Sequence, residues 1–329
     1  MKRYVIYLFG LLLVLSSCEK TVDYNIDDDI VKPVVYAFLS DDKVTVHLFR
    51  SSSYLYEDEG NQSINDAIIM LYEGKNSLGA LTFVSDGVYE LTVYPKANAE
   101  YSITIDVPGY DSTIVAKTTM PTKVLANLSV TNEQHYVEYV DTVYYTDNLN
   151  LVFDDPAGVI NYYSYNVDKI MYLDGIEYCE KVIVLESNSW LGDWNQLMFT
   201  PFERGYSGGF FNILFHDKYI DGTRYEYDIN DLGRYEIKNP DYVHPDQSGF
   251  YSADDMFFEV DSTYIVPHFR AVNYDYYMFY CDALGQQNTS LTTSEAYYVY
   301  SNVENGFGIF AAYCEVSDTI LVHRKVIQE

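Results

Sequence analysis

The chain has 329 residues, of which 49 are acidic and 20 are basic, so its formal net charge is −29 at pH 7. This charge repels phosphate backbones, which argues against a nucleic-acid partner, and it supplies no polybasic patch for anionic lipids. Tyrosine is the compositional outlier with 36 residues, and it favours β-strands and amphipathic surfaces. The length and the 48% hydrophobic content predict a globular protein with room for two cores.

Residues 1–17 have the layout of an export signal. The basic start Met1–Arg3 precedes an apolar run, Tyr4–Leu15, which is shorter than the ~20 residues that a membrane-spanning helix needs. The small residues Ser16–Ser17 then stand directly before Cys18. This ending resembles the lipobox of bacterial lipoproteins, which implies that Cys18 carries the lipid of the mature chain.

Residues 18–32 are predicted to form an acidic, flexible stalk, because they include Asp27–Asp29 and little that could pack. One acyl chain binds a membrane weakly, at about 0.8 kcal/mol per buried methylene, so a lipobox cysteine with several chains forms a lasting tether. By resemblance to lipoprotein sorting rules, Glu19 after the lipidated residue implies the outer membrane. The acidic stretch also resembles the surface-export signals of Bacteroidota lipoproteins, so we expect a lipid-anchored, surface-exposed protein.

Residues 33–122 are predicted to form an immunoglobulin-like or transthyretin-like β-sandwich. Apolar residues alternate along Val44–Leu48 and along Tyr101–Val107, and this period of two is typical of half-buried strands. About seven such strands between residues 33 and 119 fit a small sandwich. The segment Met120–Thr122 marks the boundary, because its proline ends a strand.

Residues 123–329 are predicted to form a larger β-rich domain with one helix, so the whole chain is expected to be all-β. Leu149–Phe153 alternates like a strand, and Asp174–Gly175 favours a tight hairpin turn. Helical spacing predicts a helix near Tyr274–Gly285, with Gly285 capping its end. Five residues share one face of it, which we interpret as core packing and not as a ligand platform: Tyr276, Tyr277, Tyr280, Ala283 and Leu284.

The chain is not expected to be an enzyme and is expected to need no cofactor or metal. Its six histidines are scattered, and neither a Gly-x-Ser-x-Gly elbow nor a phosphate-binding glycine loop occurs. Asp154–Asp155 indicates a turn or a solvated loop, and Asp228–Gly233 lacks the closing ligands of a calcium loop. A glycosidase remains an alternative, because its two carboxylates meet only in space.

The three cysteines after Cys18, namely Cys179, Cys281 and Cys314, allow at most one disulfide, and their separation fits no zinc site. We expect them to be buried as small hydrophobic residues.

Trp190 and Trp194 are the candidate ligand-binding residues. They lie in the polar segment Ser189–Asn195, where exposed aromatic rings could stack on sugar rings while Asp and Asn bind hydroxyls. The alternative is that both tryptophans anchor a long loop to the core.

Four parts of the chain resemble one family: Lys32–Leu39, Phe153–Gly158 leading to Asn161–Tyr163, Phe215–Gly222 and Tyr300–Phe310. Together they are similar to the Bacteroidota lipoproteins grouped as domain-of-unknown-function family 4249, over the whole mature chain. The resemblance implies an immunoglobulin-like sandwich, a C-terminal β-domain and a lipoprotein often encoded near a TonB-dependent outer-membrane transporter. It implies no known catalytic residues.

The segment Tyr300–Phe310 also has a physical interpretation of its own. Asn305–Gly306 predicts a turn, and Gly308 would let a neighbouring backbone approach closely between two strands. The specific pattern of this segment is therefore expected to be structural.

The leading hypothesis for function is an outer-membrane, lipid-anchored accessory or ligand-binding protein that works with a TonB-dependent transporter. One alternative is a surface lipoprotein that binds a glycan or a peptide alone, and another is a structural or adhesion component.

Overall fold

The computed structural model describes residues 32–51, 62–137, 142–181, 198–199, 212–229, 236–238, 257–288 and 299–324. The predicted signal, Cys18, the stalk, Trp190 and Trp194 lie outside these residues. The fold is all-β, as predicted, since strands account for 62% of it and helices for 5%.

The described residues between 33 and 119 contain nine strands, where about seven were expected from the alternation of apolar residues. The short strands β3, β5 and β6 have mostly exposed residues, so no buried face produces an alternating pattern in them. The nine strands are β1 (Pro33–Leu39), β2 (Lys43–Arg50), β3 (Gln62–Ser63), β4 (Ile68–Glu73), β5 (Asn76–Ala80), β6 (Thr82–Ser85), β7 (Val88–Thr92), β8 (Glu100–Asp106) and β9 (Ile114–Thr119).

The rest of the described chain holds thirteen strands and a helix. They are β10 (Ala126–Val137), β11 (Thr142–Asp154), β12 (Tyr162–Leu173), β13 (Ile176–Lys181), β14 (Met198–Phe199), β15 (Asn212–His216), β16 (Arg224–Ile229), β17 (Glu236–Lys238), β18 (Phe257–Glu259), β19 (Ser262–Val272), α1 (Tyr274–Asn288), β20 (Val303–Glu304), β21 (Phe307–Ser317) and β22 (Ile320–Arg324).

One long sheet runs through the molecule in the order β14-β15-β12-β19-β21-β1-β2-β7-β6, with β13, β22 and β3 added at its sides. It contains strands from both sides of the boundary predicted at residues 122 and 123, which falls between β9 and β10. The division into two domains stays a prediction.

Two cores lie on the same face of the long sheet. The first is enclosed by the five-stranded sheet β20-β9-β8-β4-β5, and the alternation predicted for Val44, Val46 and Leu48 is confirmed, since all three are fully buried. The second core lies under the three-stranded sheet β10-β11-β16, with Phe153 and Phe269 in contact at 4.6 Å between ring centroids. The hairpin turn at Asp174–Gly175 is confirmed by its positive φ angles.

Helix α1 covers the opposite face of the long sheet. Tyr276, Tyr277 and Ala283 are buried there, which confirms the core packing that was predicted for them. The prediction that Gly285 ends the helix is wrong, because the helix continues to Asn288. A glycine inside a helix is tolerated where tertiary packing outweighs its unfavourable helix propensity, which costs about 1 kcal/mol relative to alanine. This helix, the only one in the described part of the chain, lacks the length and apolar run needed to cross a bilayer.

Within the described residues no disulfide joins Cys179, Cys281 and Cys314. The expected burial is right for Cys314 and wrong for Cys179, which lies on the hairpin strand β13 at the side of the sheet and is exposed. Burial raises the pKa of the thiols of Cys281 and Cys314 to about 12, so both stay protonated at neutral pH.

The two halves of the long sheet meet where β1 pairs in parallel with β21, from Val34 opposite Phe307 to Leu39 opposite Ala312. Gly308 lies within this pairing at a φ of 108°. A Cβ atom at this position would overlap the carbonyl oxygen of Val35, so only glycine lets the two backbones approach. The close approach predicted for Gly308 is therefore confirmed.

Two asparagines fix the turn that leads into β21. The side chain of Asn302 accepts a hydrogen bond from the Phe310 amide at 2.8 Å and donates to the Phe310 carbonyl at 2.7 Å. Asn305 takes a φ of 62° and donates to the Thr113 carbonyl at 2.9 Å, which confirms the predicted turn. The pattern of this segment thus aligns β21 for its pairing with β1.

Replacing Gly308 with alanine should lower the free energy of unfolding by at least about 2 kcal/mol, because it adds both a backbone clash and a disfavoured φ. The matched control is Gly109→Ala, which has a φ of 80° but nothing within 4 Å of the added Cβ. Urea unfolding of both variants tests this. Equal stability of the two variants would show that the close approach does not matter.

Candidate functional site

A cleft of about 600 Å³ opens on the helix-covered face of the long sheet, beside the start of β12. The loop before β12, the end of β15 with the turn that follows, and the first turns of α1 form its walls. Its lining residues are Gly158, Val159, Ile160, Tyr162, His216, Asp217, Lys218, Asp221, Tyr274, Tyr277 and Met278.

Strand pairing brings these walls together. Tyr162 pairs with Val272 of β19 on one side and with His216 of β15 on the other. Since α1 starts two residues after Val272, the His216 imidazole and the start of the helix flank the tyrosine. Asn273 follows β19 and caps the helix, since its side-chain oxygen accepts a hydrogen bond from the Tyr276 amide at 3.0 Å. The helix therefore begins directly at the cleft.

A partly buried carboxylate fixes the first turn of the helix. Asp275 accepts hydrogen bonds from the Tyr300 hydroxyl at 2.6 Å and from the Asn273 amide group at 2.9 Å. It also accepts one from the hydroxyl of Thr118, on β9, at 3.3 Å. Burial raises the pKa of Asp275 although these hydrogen bonds act to lower it. The helix start is thus held by residues distant in sequence.

Aromatic rings form the floor of the cleft. The ring centroid of Tyr162 lies 4.7 Å from that of Tyr277 and 5.8 Å from that of Tyr274, and His216 meets Tyr277 at 5.9 Å. Burial raises the pKa of Tyr162 and Tyr277, so both hydroxyls stay protonated. Tyr274 is 51% exposed and lines the cleft.

His216 stays neutral in the cleft, because burial lowers its pKa. Its Nδ1 atom accepts a hydrogen bond from the Lys218 amide at 3.2 Å, which leaves the proton of the neutral ring on Nε2. The imidazole thus holds the turn after β15 and presents a donor.

Three carboxylates bind the two loops of the cleft to each other, and we call Asp155, Asp217 and Asp221 the loop clamp. Oxygen atoms from all three lie within 4.8 Å of one another. Asp155 accepts hydrogen bonds from the Tyr163 hydroxyl and from the Gly222 amide, the latter at 2.9 Å. The clamp therefore connects β12 to the turn after β15.

The other two members of the loop clamp bind the loop before β12. Asp217 accepts from both the backbone amide and the side-chain amide of Asn161, at 2.7 and 3.0 Å, and Asp221 accepts from the Gly158 amide at 2.7 Å. Burial and then the neighbouring carboxylates raise the pKa of Asp217, against the effect of its hydrogen bonds. Three carboxylates could hold a cation; here five donors form hydrogen bonds to four of their six oxygens.

The rim of the cleft is apolar and solvent-exposed. Val159 and Ile160, which line it, are 65% and 68% exposed. Tyr219, next to the lining residue Lys218, is 58% exposed, and the Lys218 ammonium lies 5.2 Å from the centre of its ring. The two loops touch below this rim, where Gly222 takes a φ of 67° and an added Cβ would lie 2.6 Å from the Ala157 side chain. Exposed apolar groups around a concave site are typical of binding surfaces.

A second cluster of polar side chains lies on the same face of the long sheet. His268 contacts Glu315 at 3.1 Å and Asp168 at 3.5 Å, and Arg270 donates hydrogen bonds to Glu315 and Asn166. Burial alone would raise the pKa of Glu315, but the hydrogen bond from His268 and the charge of Arg270 lower it to about 2. These charges satisfy one another, which is typical of a structural network.

Two of the four parts that carry the family resemblance meet around the cleft: Phe153–Gly158 with Asn161–Tyr163, and Phe215–Gly222. A third part, Tyr300–Phe310, reaches it through Tyr300, whose ring centroid lies 6.1 Å from that of Tyr274. No local pattern in the sequence identifies this cleft as a site. Trp190 and Trp194 lie outside the described residues and stay predictions.

The family model described as Domain of unknown function (DUF4249) matches residues 19–319. Since this is most of the chain, the protein belongs to that family, and the resemblance drawn from its segments is confirmed at this level. No curated protein shows significant similarity to the chain.

Two neighbouring tyrosines of β12 provide a matched test of the loop clamp. Tyr163→Phe should lower the free energy of unfolding by about 1.5–3 kcal/mol, because it removes a hydrogen bond to the buried Asp155 carboxylate. Tyr165→Phe should leave stability unchanged or raise it by up to about 1 kcal/mol, because the buried Tyr165 hydroxyl has no partner among the described residues.

Thermal and urea unfolding of the two variants measure this difference. A Tyr163→Phe variant as stable as Tyr165→Phe would contradict the role given to the clamp.

Proposed function

We propose that this member of the DUF4249 family is a lipid-anchored binding protein of the outer membrane that works with a TonB-dependent transporter and takes its ligand in the aromatic cleft. The cleft is the observation that carries the proposal. It is concave, mostly apolar and furnished with a few polar groups, which is the usual character of a ligand site.

The polar groups of the cleft support binding over catalysis. His216 accepts a hydrogen bond from its own turn, and the carboxylates of Asp217 and Asp221 accept bonds from loop amides. Groups committed in this way give a rigid, preformed surface, and preorganisation raises affinity by reducing the entropy lost on binding.

The export signal and Cys18 support the tether. The described fold begins at Lys32, directly before β1, so a lipid on Cys18 would connect to the fold through the acidic stalk at the first strand of the long sheet. An anchored protein stays near the transporters of its own membrane, which raises its effective concentration there.

A second candidate is a surface protein that binds a glycan or peptide without a transporter. This candidate would use the same cleft, so the presence or absence of a transporter partner distinguishes the two proposed functions.

Cys18→Ser should release a folded protein into the soluble fraction, because the variant cannot be acylated and several acyl chains are needed for a lasting tether. Cys179→Ser is the matched control and should stay in the membrane, since that exposed thiol lies on β13. Fractionation followed by immunoblotting measures both. A Cys18→Ser variant that resists detergent-free washing of the membranes would refute the tether.

The affinity-tagged protein, purified from solubilised outer membranes, should retain a TonB-dependent transporter in near-stoichiometric amount, because the proposed function needs their association. Mass spectrometry of the purified complex identifies the partner. Recovery of the protein without any transporter subunit would favour the stand-alone binder.

A further inference from the structure

We infer that the cleft binds a polypeptide segment in which an aliphatic or aromatic side chain stands beside a lysine or arginine. This inference rests on the proposed binding function and specifies the class of ligand. It comes from the apolar rim, the hydrogen bonds already made by the polar groups, and the charges that line the cleft.

The rim favours an apolar side chain. Val159 and Ile160 are aliphatic and about two-thirds exposed, at 65% and 68%, and Tyr274 adds a half-exposed ring on the helix wall. Covering such surface removes apolar area from water, which favours binding. Tyr219, which is 58% exposed and lies next to the lining residue Lys218, extends the exposed surface past the lining residues, so it fits a chain that continues past the bound residue.

The polar groups leave few partners for a glycan. Sugar hydroxyls need several directional partners, whereas each lining carboxylate already uses one oxygen within the loop clamp: one oxygen of Asp217 accepts two bonds, and one oxygen of Asp221 accepts another. The other oxygen of each and the Nε2 donor of His216 are the polar partners that the loops leave to a ligand. The aliphatic rim at Val159 and Ile160 also offers a sugar no hydrogen bonds.

The charges favour a cation. Among the described residues, Asp217 and Asp221 line the cleft together with one ammonium group, that of Lys218, and the chain as a whole carries a net charge of −29. A field of one sign concentrates ligands of the opposite sign. The exposed ring of Tyr274 adds a π face, and such a face attracts ammonium and guanidinium groups.

The test uses the full chain purified in detergent and fluorescein-labelled peptides with blocked ends, read by fluorescence anisotropy. One peptide alternates leucine with lysine, a second replaces lysine with glutamate, and a third replaces leucine with serine. We expect the leucine–lysine peptide to bind at least about tenfold more tightly than either of the others, because each change removes one of the two attractions. Maltohexaose and cellohexaose are the glycan competitors, and neither should displace the peptide.

Removing a negative or a positive charge at the cleft should change the affinity for the lysine peptide in opposite directions. Asp221→Asn keeps an acceptor for the Gly158 amide but removes a negative charge, so the lysine peptide should bind about two- to fivefold more weakly. Lys218→Ala removes the repelling ammonium group and should strengthen binding by about the same factor. Asp111→Asn, at an exposed acid that does not line the cleft, is the matched control and should change nothing.

Tyr274→Ala should weaken the lysine peptide by at least about tenfold, because it removes both apolar area and the π face. Tyr94→Ala is its control, since Tyr94 is 78% exposed and does not line the cleft. The thermal midpoint of each variant separates lost binding from lost folding.

Equal binding of the lysine and glutamate peptides, or no change in Asp221→Asn and Lys218→Ala, would overturn the inference. Two results would overturn the inference while leaving the proposed function intact. One is that a hexaose binds the protein and that Tyr274→Ala abolishes this binding. The other is that Tyr274→Ala reduces recovery of the transporter although no peptide binds. If Tyr274→Ala changes neither probe binding nor transporter recovery, the proposed function itself fails at this cleft.

Discussion

The parallel pairing of β1 with β21 is the interaction on which the rest of the structure depends. It joins the first described strand to one near the C-terminal end, and it makes one sheet of the half under the five-stranded sheet and the half that carries α1. Gly308 permits the approach of the two backbones, and the hydrogen bonds of Asn302 align β21 for it. Parallel pairing between distant segments requires the chain to close a large loop, which costs conformational entropy. The contacts along the two strands must offset this cost, so their local geometry must fit closely.

The cleft depends on that sheet and on the loop clamp. The sheet places Tyr162 beside the first turn of α1, and the clamp fixes the two loops that form the rim. A carboxylate cluster of this kind can hold a metal ion; here amide and hydroxyl donors also bind all three carboxylates, and these hydrogen bonds connect the two loops. The proposed binding role rests on an apolar contact surface with negative charge beside it.

Much of the strand structure could be predicted because a buried face imposes a period of two, as along Val44–Leu48 and Tyr101–Val107. The turn at Asn305 and the close approach at Gly308 were also predictable, since positive φ and missing Cβ atoms are local properties. The strand that pairs with the one containing Gly308 was not predictable, because no local pattern identifies which strand lies across from it. Asp155 illustrates the same limit at the site: its sequence indicates a turn, whereas tertiary contacts bury it against Tyr163. The cleft combines loops, a strand end and a helix start that are far apart in sequence, so it becomes visible only in the fold.

Native-state hydrogen exchange measured against urea tests most directly whether the β1–β21 pairing makes the long sheet one cooperative unit. If the pairing couples the two halves, the slowest amides of β2, β21 and β12 exchange with the same free energy of opening and the same urea dependence. Gly308→Ala should lower all three together. Separate opening of β2, with β12 remaining protected, would contradict the account and would show two independently stable halves.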